Sequence, residues 1–159
     1  VISCCLETDS TFREIAESSF AEELPVNWTH FLLAVFIAGI VSSLTDWFFG
    51  GILFHDKYGA HPEIWRQSPG KSEASAVAWT IVFGFLTSGA FMSACVVLSV
   101  HGYAATLKLA ALCWLIAPVP LLITNALFIK LHPLVVVSHS LGWLAKLVVA
   151  ALAASWLLG

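Results

Sequence analysis

The sequence predicts an all-α fold, an integral membrane four-helix bundle preceded by a short acidic amphipathic N-terminal helix, and three observations predict it. The chain is 59% hydrophobic and only 11% charged, against roughly a quarter charged in soluble domains, and its mean hydropathy is +0.90. Its apolar residues gather into four runs, each longer than the ~18–20 residues that cross the hydrocarbon core of a bilayer. Most charges fall between those runs or ahead of them.

The arm, residues 1–26, carries six of the ten acidic residues and one basic residue, Arg13. Thr11 and Glu14 match a capping box, and Phe12, Ile15, Ala16, Phe20 and Leu24 recur at helical spacing, which predicts a short surface helix. Its polar face is acidic, the wrong sign for anchoring to anionic lipid.

Residues 27–159 form the four-span domain, with spans at about 28–54, 74–100, 105–129 and 134–158 by the length a bilayer requires. Trp28 anchors the first span at an interface. Asp46 interrupts that span, and Ala38 with Ser42 and Gly39 with Ser43 have the small-xxx-small spacing that lets helices approach closely. The Gly50-Gly51 pair loosens its end. The loop from His55 to Glu73 holds Lys57, Arg66 and Lys71 among Pro62, Pro69 and Gly70. The second span has no charge, and Gly84 with Ser88 and Gly89 with Ser93 repeat the close-packing spacing. His101-Gly102-Tyr103 makes a tight turn into the third span, where Lys108 snorkels to the interface. Pro118 and Pro120 lack backbone donors and leave the carbonyls of Trp114 and Ile116 without intrahelical partners, so a helix kink is expected there. Lys130-Leu131-His132-Pro133 is too short to let the third and fourth spans be anything but antiparallel neighbours.

The last run, Leu134 to Leu158, is the one around which the others are organised, because Lys146 lies near its middle. An ammonium at that depth costs roughly 2.5–3.5 kcal/mol on insertion scales, so it needs a partner inside the bundle. With a rise of about 1.5 Å per residue, Asn125 and His139 lie about 6–8 Å from one membrane edge, Asp46 about 12 Å, and Lys146 and Pro118 about 16–18 Å. His139 and Lys146 are seven residues apart and share a helix face. Asp46 lies between them in depth, within reach of either. Asp46, Asn125, His139 and Lys146 are therefore the candidate polar cluster, and two readings of it stand. In one, Asp46 pairs with Lys146, the ammonium also donates to a carbonyl freed by the prolines, and Asn125 bridges helices as polar glue. In the other, an ionisable pair and a histidine beside a kinked helix form a proton or small-ligand site.

Composition also excludes function classes. A net charge of −3 without a basic cluster argues against nucleic acid, which is bound by neutralising phosphates. Cys4, Cys5, Cys95 and Cys113 form no C-x-x-C, so no zinc or redox motif is predicted. His139 alone lies well inside the membrane, which leaves haem without a second histidine ligand at its level. The expectation is no cofactor, no metal and no catalytic residue. Ser138-His139-Ser140 is too local to make a triad, which is defined by spatial geometry. The expected partners are the lipid bilayer and, for protein contacts, a second copy of the chain or a larger membrane protein. Lys57, Arg66, Lys71 and Lys130 flank the first and third connections, against Arg13 and Lys108 on the other side. The positive-inside rule then puts connections 55–73 and 130–133 in the cytoplasm and both termini outside the cell membrane.

Asn27-Trp28, Trp47-Phe48-Phe49, Phe54 and Trp65, then Trp114, Pro118-Val119-Pro120-Leu121-Leu122 and Asn125, and finally His139 with Gly142-Trp143, form a pattern over about Asn27 to Leu158. It resembles a family of small four-helix bacterial integral membrane proteins, domain of unknown function 1761. The resemblance implies a four-span fold and no activity; the acidic arm and Lys146 depart from its pattern. Two function classes follow. One is a non-catalytic multi-pass membrane module with a buried polar cluster. The other is a small proton-coupled transporter-like protein with Asp46 as the ionisable group, similar in architecture to small multidrug-resistance antiporters.

Overall fold

Asn27 opens the first helix: its side chain accepts a hydrogen bond from the His30 amide at 3.3 Å, satisfying one of the donors a helix start leaves free. The computed structural model describes residues 26–56, 60, 73–129 and 131–158. The acidic arm, with Arg13, Cys4 and Cys5, lies outside the described residues, as do Lys57, Trp65, Arg66, Lys71 and Lys130.

The described residues are all-α, in five α-helices and a π-helical segment. Helix α1 spans Trp28–Trp47 and continues as the π-helical segment Phe48–Leu53. Helix α2 is Glu73–Val97, α3 is Tyr103–Ile116, α4 is Pro118–Phe128 and α5 is Pro133–Leu157. Four stretches are long and apolar enough to cross a membrane, namely Trp28–Leu53, Ser75–Val97, Tyr103–Phe128 and Pro133–Leu157. The 25 residues of the last reach about 37 Å at 1.5 Å per residue, beyond the ~30 Å hydrocarbon core.

The burial pattern is that of helices in an apolar solvent. In α1 the residues turned inward are small, Ala34, Ala38, Gly39 and Ser42, while Leu32, Phe36, Ile40 and Leu44 are exposed. Without a hydrophobic drive between helices in lipid, close backbone approach and dispersion hold them together, and small side chains permit that approach. The contact of α1 with α2 is of this kind, with Gly84 packed near the Gly39 carbonyl and the Ser43 hydroxyl. Ser43 and Ser88 donate to carbonyls of their own helices, those of Gly39 at 2.9 Å and Gly84 at 3.0 Å.

Helix α2 ends in a Schellman arrangement, in which the Val100 amide donates to the Cys95 carbonyl at 2.8 Å and the Ser99 amide to that of Val96 at 3.0 Å. Ser99 takes the left-handed conformation, φ 49°, usually held by glycine. Gly102, at φ 78° and ψ 152°, then turns the chain into α3, in a region only glycine enters without strain.

The third span is irregular at the proline pair, with helical hydrogen bonds kept on either side: the Ala117 amide donates to the Cys113 carbonyl at 3.1 Å and the Leu121 amide to that of Ala117 at 3.1 Å. Ala117 (φ −115°, ψ −70°) separates α3 from α4, and Pro118 is the first residue of α4, where a missing amide hydrogen costs nothing. In α5, the His132 ring nitrogen Nδ1 accepts from the Leu134 amide at 3.2 Å, and Pro133 follows at the first helical position. Helix α5 packs against α1, α2, α3 and α4, the widest reach of any helix among the described residues. Its inward face is Gly142, Ala150, Ala151, Ala153, Ala154 and Ser155. Two hydrogen bonds tie it to α3: Thr106 and Ser155 share one at 2.6 Å, and the Trp114 indole donates to the Ser140 carbonyl at 2.9 Å.

Candidate functional site

Asp46 occupies the last turn of α1, and the π-helical segment begins two residues later. Such widened turns recur at functional sites because they re-aim the residues around them. Lys146 comes from α5, two turns beyond His139 and one beyond Gly142, so all three project from one face. The Lys146 ammonium reaches Oδ2 of Asp46 at 2.6 Å. This approach lies off the hydrogen-bond axis, so Oδ2 is charge-compensated without an aligned donor. The same ammonium sits 5.3 Å from the centroid of the Trp143 ring, within cation–π range. The second partner of Lys146 is therefore an aromatic face, not a carbonyl freed by the prolines. Lys146 is 9% exposed, whereas the Asp46 side chain keeps 24%.

That remaining exposure belongs to a cavity of about 600 Å³ between α1, α2 and α5. Asp46, Phe49 and Gly50 line it from the first span, and His139, Gly142, Trp143 and Lys146 from α5, with Ser138 beside them. The opposite wall is α2, through Thr80, Phe83, Leu86 and Thr87. Thr80 and Thr87 donate to the carbonyls of Ala76 at 2.9 Å and Phe83 at 2.7 Å. Their hydroxyls consequently offer the cavity acceptor lone pairs rather than protons. The Phe83 ring stacks on Trp79, and Phe49 stacks on Phe54, which fixes two of the aromatic walls.

Of the sequence-derived candidates, Asp46, His139 and Lys146 meet at this cavity. Asp46 pairs with Lys146, and the exposed His139 lies farther along the same wall. Asn125, Pro118 and Pro120 do not line it. Asn125 is half-buried on α4, and its carbonyl accepts from the Ile129 amide at 2.8 Å. The α2 wall was not among the candidates that the sequence offered. A signal was present, since Thr80, Phe83 and Thr87 recur at i, i+3 and i+7 on one helix face.

At the other end of the bundle lie His30 and His101. With Asn27, Cys95 and Leu157 they line a second cavity of about 350 Å³. Among the described residues, no three His, Cys, Asp or Glu side chains gather in a way that would hold a metal ion. No protein-family model, no curated protein and no solved structure matches the chain, so the family resemblance rests on the residues that carry it.

Proposed function

We propose that the chain is a multi-pass membrane protein without catalytic activity, a module whose first and last spans are joined by the Asp46–Lys146 ion pair. The observation that carries this reading is the 2.6 Å approach of Lys146 to Asp46, with the ammonium nearly buried. Two opposite charges placed together in an apolar bundle satisfy a requirement that neither could meet alone. The double-mutant cycle of Asp46→Asn and Lys146→Met, read as unfolding free energy in detergent, tests it. Each single change is expected to cost about 2–3 kcal/mol, less than the roughly 3–5 kcal/mol of a sealed pair because the cavity admits solvent to the survivor. The double mutant should lose clearly less than the sum of the singles. Additive losses would show that the two side chains do not act as a pair.

A second reading has its own support: the cavity opens onto Asp46 instead of sealing it. A carboxylate that faces both a cation and an open space is placed for exchange with a proton or ligand, which is the requirement of a proton-coupled transporter-like protein. Reconstituted protein would then carry a proton flux that Asp46→Asn abolishes.

A further inference from the structure

We propose that the cavity between α1, α2 and α5 is a binding site for an organic monocation of the ammonium class, and that the Lys146 ammonium is its resident occupant. The inference rests on the Asp46–Lys146 pairing and adds to it what the pair leaves open. Among the described residues that line the cavity, Asp46 is the one carboxylate and Lys146 the one ammonium. The Lys146 head is held by a carboxylate oxygen at 2.6 Å and by an indole ring at 5.3 Å. A carboxylate beside an aromatic face is the chemistry by which free ammonium ions are recognised. The space is larger than its occupant requires. Its volume of about 600 Å³ falls within the ~300–1,000 Å³ of small-molecule sites, and Phe49 and Phe83 supply two further rings.

The polarity of the lining selects the ligand's charge. A Cβ at position 142 would lie 3.9 Å from Oδ1 of Asp46, so the glycine leaves room beside that oxygen. The hydroxyls of Thr80 and Thr87 present acceptor lone pairs because their protons go to their own helix. An anion would meet acceptors on α2 and, on α5, a lysine already neutralised by Asp46. A cation meets acceptors on α2 and ring faces at Phe49, Phe83 and Trp143, and the like charge beside it is the Lys146 ammonium that it displaces, with the His139 imidazole farther along the wall. Displacing Lys146 from Asp46 leaves the paired carboxylate with the charge a monocation neutralises, so ligand and Lys146 compete for one position.

The competition is testable on the full chain in a nonionic detergent, with benzyltrimethylammonium as the probe and benzyl alcohol and benzenesulfonate as neutral and anionic comparators. By titration calorimetry, Lys146→Met should bind the cation at least tenfold more tightly than the wild type. Asp46→Asn should bind it at least tenfold more weakly, and neither comparator should follow this order. A Lys146→Met protein that binds the cation no more tightly than the wild type, or binds benzenesulfonate equally well, overturns the proposal. A second measurement needs no variant: the cation should raise the rate of Lys146 acetylation in the wild type several-fold, read by mass spectrometry, as it frees the ammonium. An unchanged or slowed rate overturns it too. Intact energetic coupling between Asp46 and Lys146 without cation binding would sink this inference alone, whereas lost coupling would sink the pairing beneath it.

Discussion

At Gly39 the missing Cβ lets the Phe85 ring of α2 lie directly against the backbone of α1, and a methyl group there would overlap that ring. Gly89, on α2, has room: a Cβ would stand 3.8 Å from a Val35 methyl, an ordinary contact. Gly39→Ala should therefore lower the unfolding free energy in detergent by about 1–3 kcal/mol, the usual cost of overpacking. Gly89→Ala should be neutral or slightly stabilising, since alanine is the better helix former. Comparable losses for both would mean that the Gly39–Phe85 approach does not control the contact. The same single-residue logic made the ion pair legible in the sequence. Lys146 needs a partner, and Asp46 is the one acidic residue inside a predicted span at similar depth. Asn125 was not placed by such reasoning because residue spacing gives height along a span but not the direction a side chain faces, and no residue of α4 lines the cavity.

Helices α3 and α5 cross with their polar contacts at separated heights, Thr106 with Ser155 and Trp114 with the Ser140 carbonyl. The first is buried, so removing either hydroxyl leaves the other without this interhelical partner. Thr106→Val and Ser155→Ala should show a coupling of about 0.6–1.7 kcal/mol in a double-mutant cycle, the range of polar contacts between membrane helices. Zero coupling would mark the 2.6 Å contact as energetically idle. These interhelical bonds were not readable beforehand, because both side chains also have carbonyl acceptors within their own helices. The span limits were readable, since hydropathy and length decide them and tertiary context alters them little. The π-helical segment was not. The Gly50-Gly51 pair announced a weak point at the end of the first span, but whether it frays, kinks or widens depends on packing around Phe49 and Phe54. The proline pair likewise marked a perturbation, and its form, an irregular turn at Ala117, follows from Pro118 lacking the amide hydrogen that would continue the ladder.

For the molecule as a whole, the expected orientation of the four membrane-length helices follows from the basic residues near their ends. The Asp46 end is flanked in sequence by Lys57, Arg66, Lys71 and Lys130, the other end by Arg13 and Lys108, a ratio of four to two. Because basic residues are retained on the cytoplasmic side during insertion, the cavity should open from the cytoplasmic half and the His30–His101 end should face outward. In a cysteine-free background, His101→Cys should react with a membrane-impermeant maleimide on intact expressing cells, whereas His55→Cys should react only after permeabilisation. Both positions are exposed at helix ends, so a difference in reactivity reports sidedness and not burial. Replacing Lys57, Arg66 and Lys71 with alanine leaves one basic residue, Lys130, against two. That triple variant should label at His101→Cys in only part of the population, since the bias then favours the opposite orientation. If its labelling matches that of the parent, the loop charges do not set the orientation, and the side from which a cation would reach Asp46 must be assigned from labelling alone.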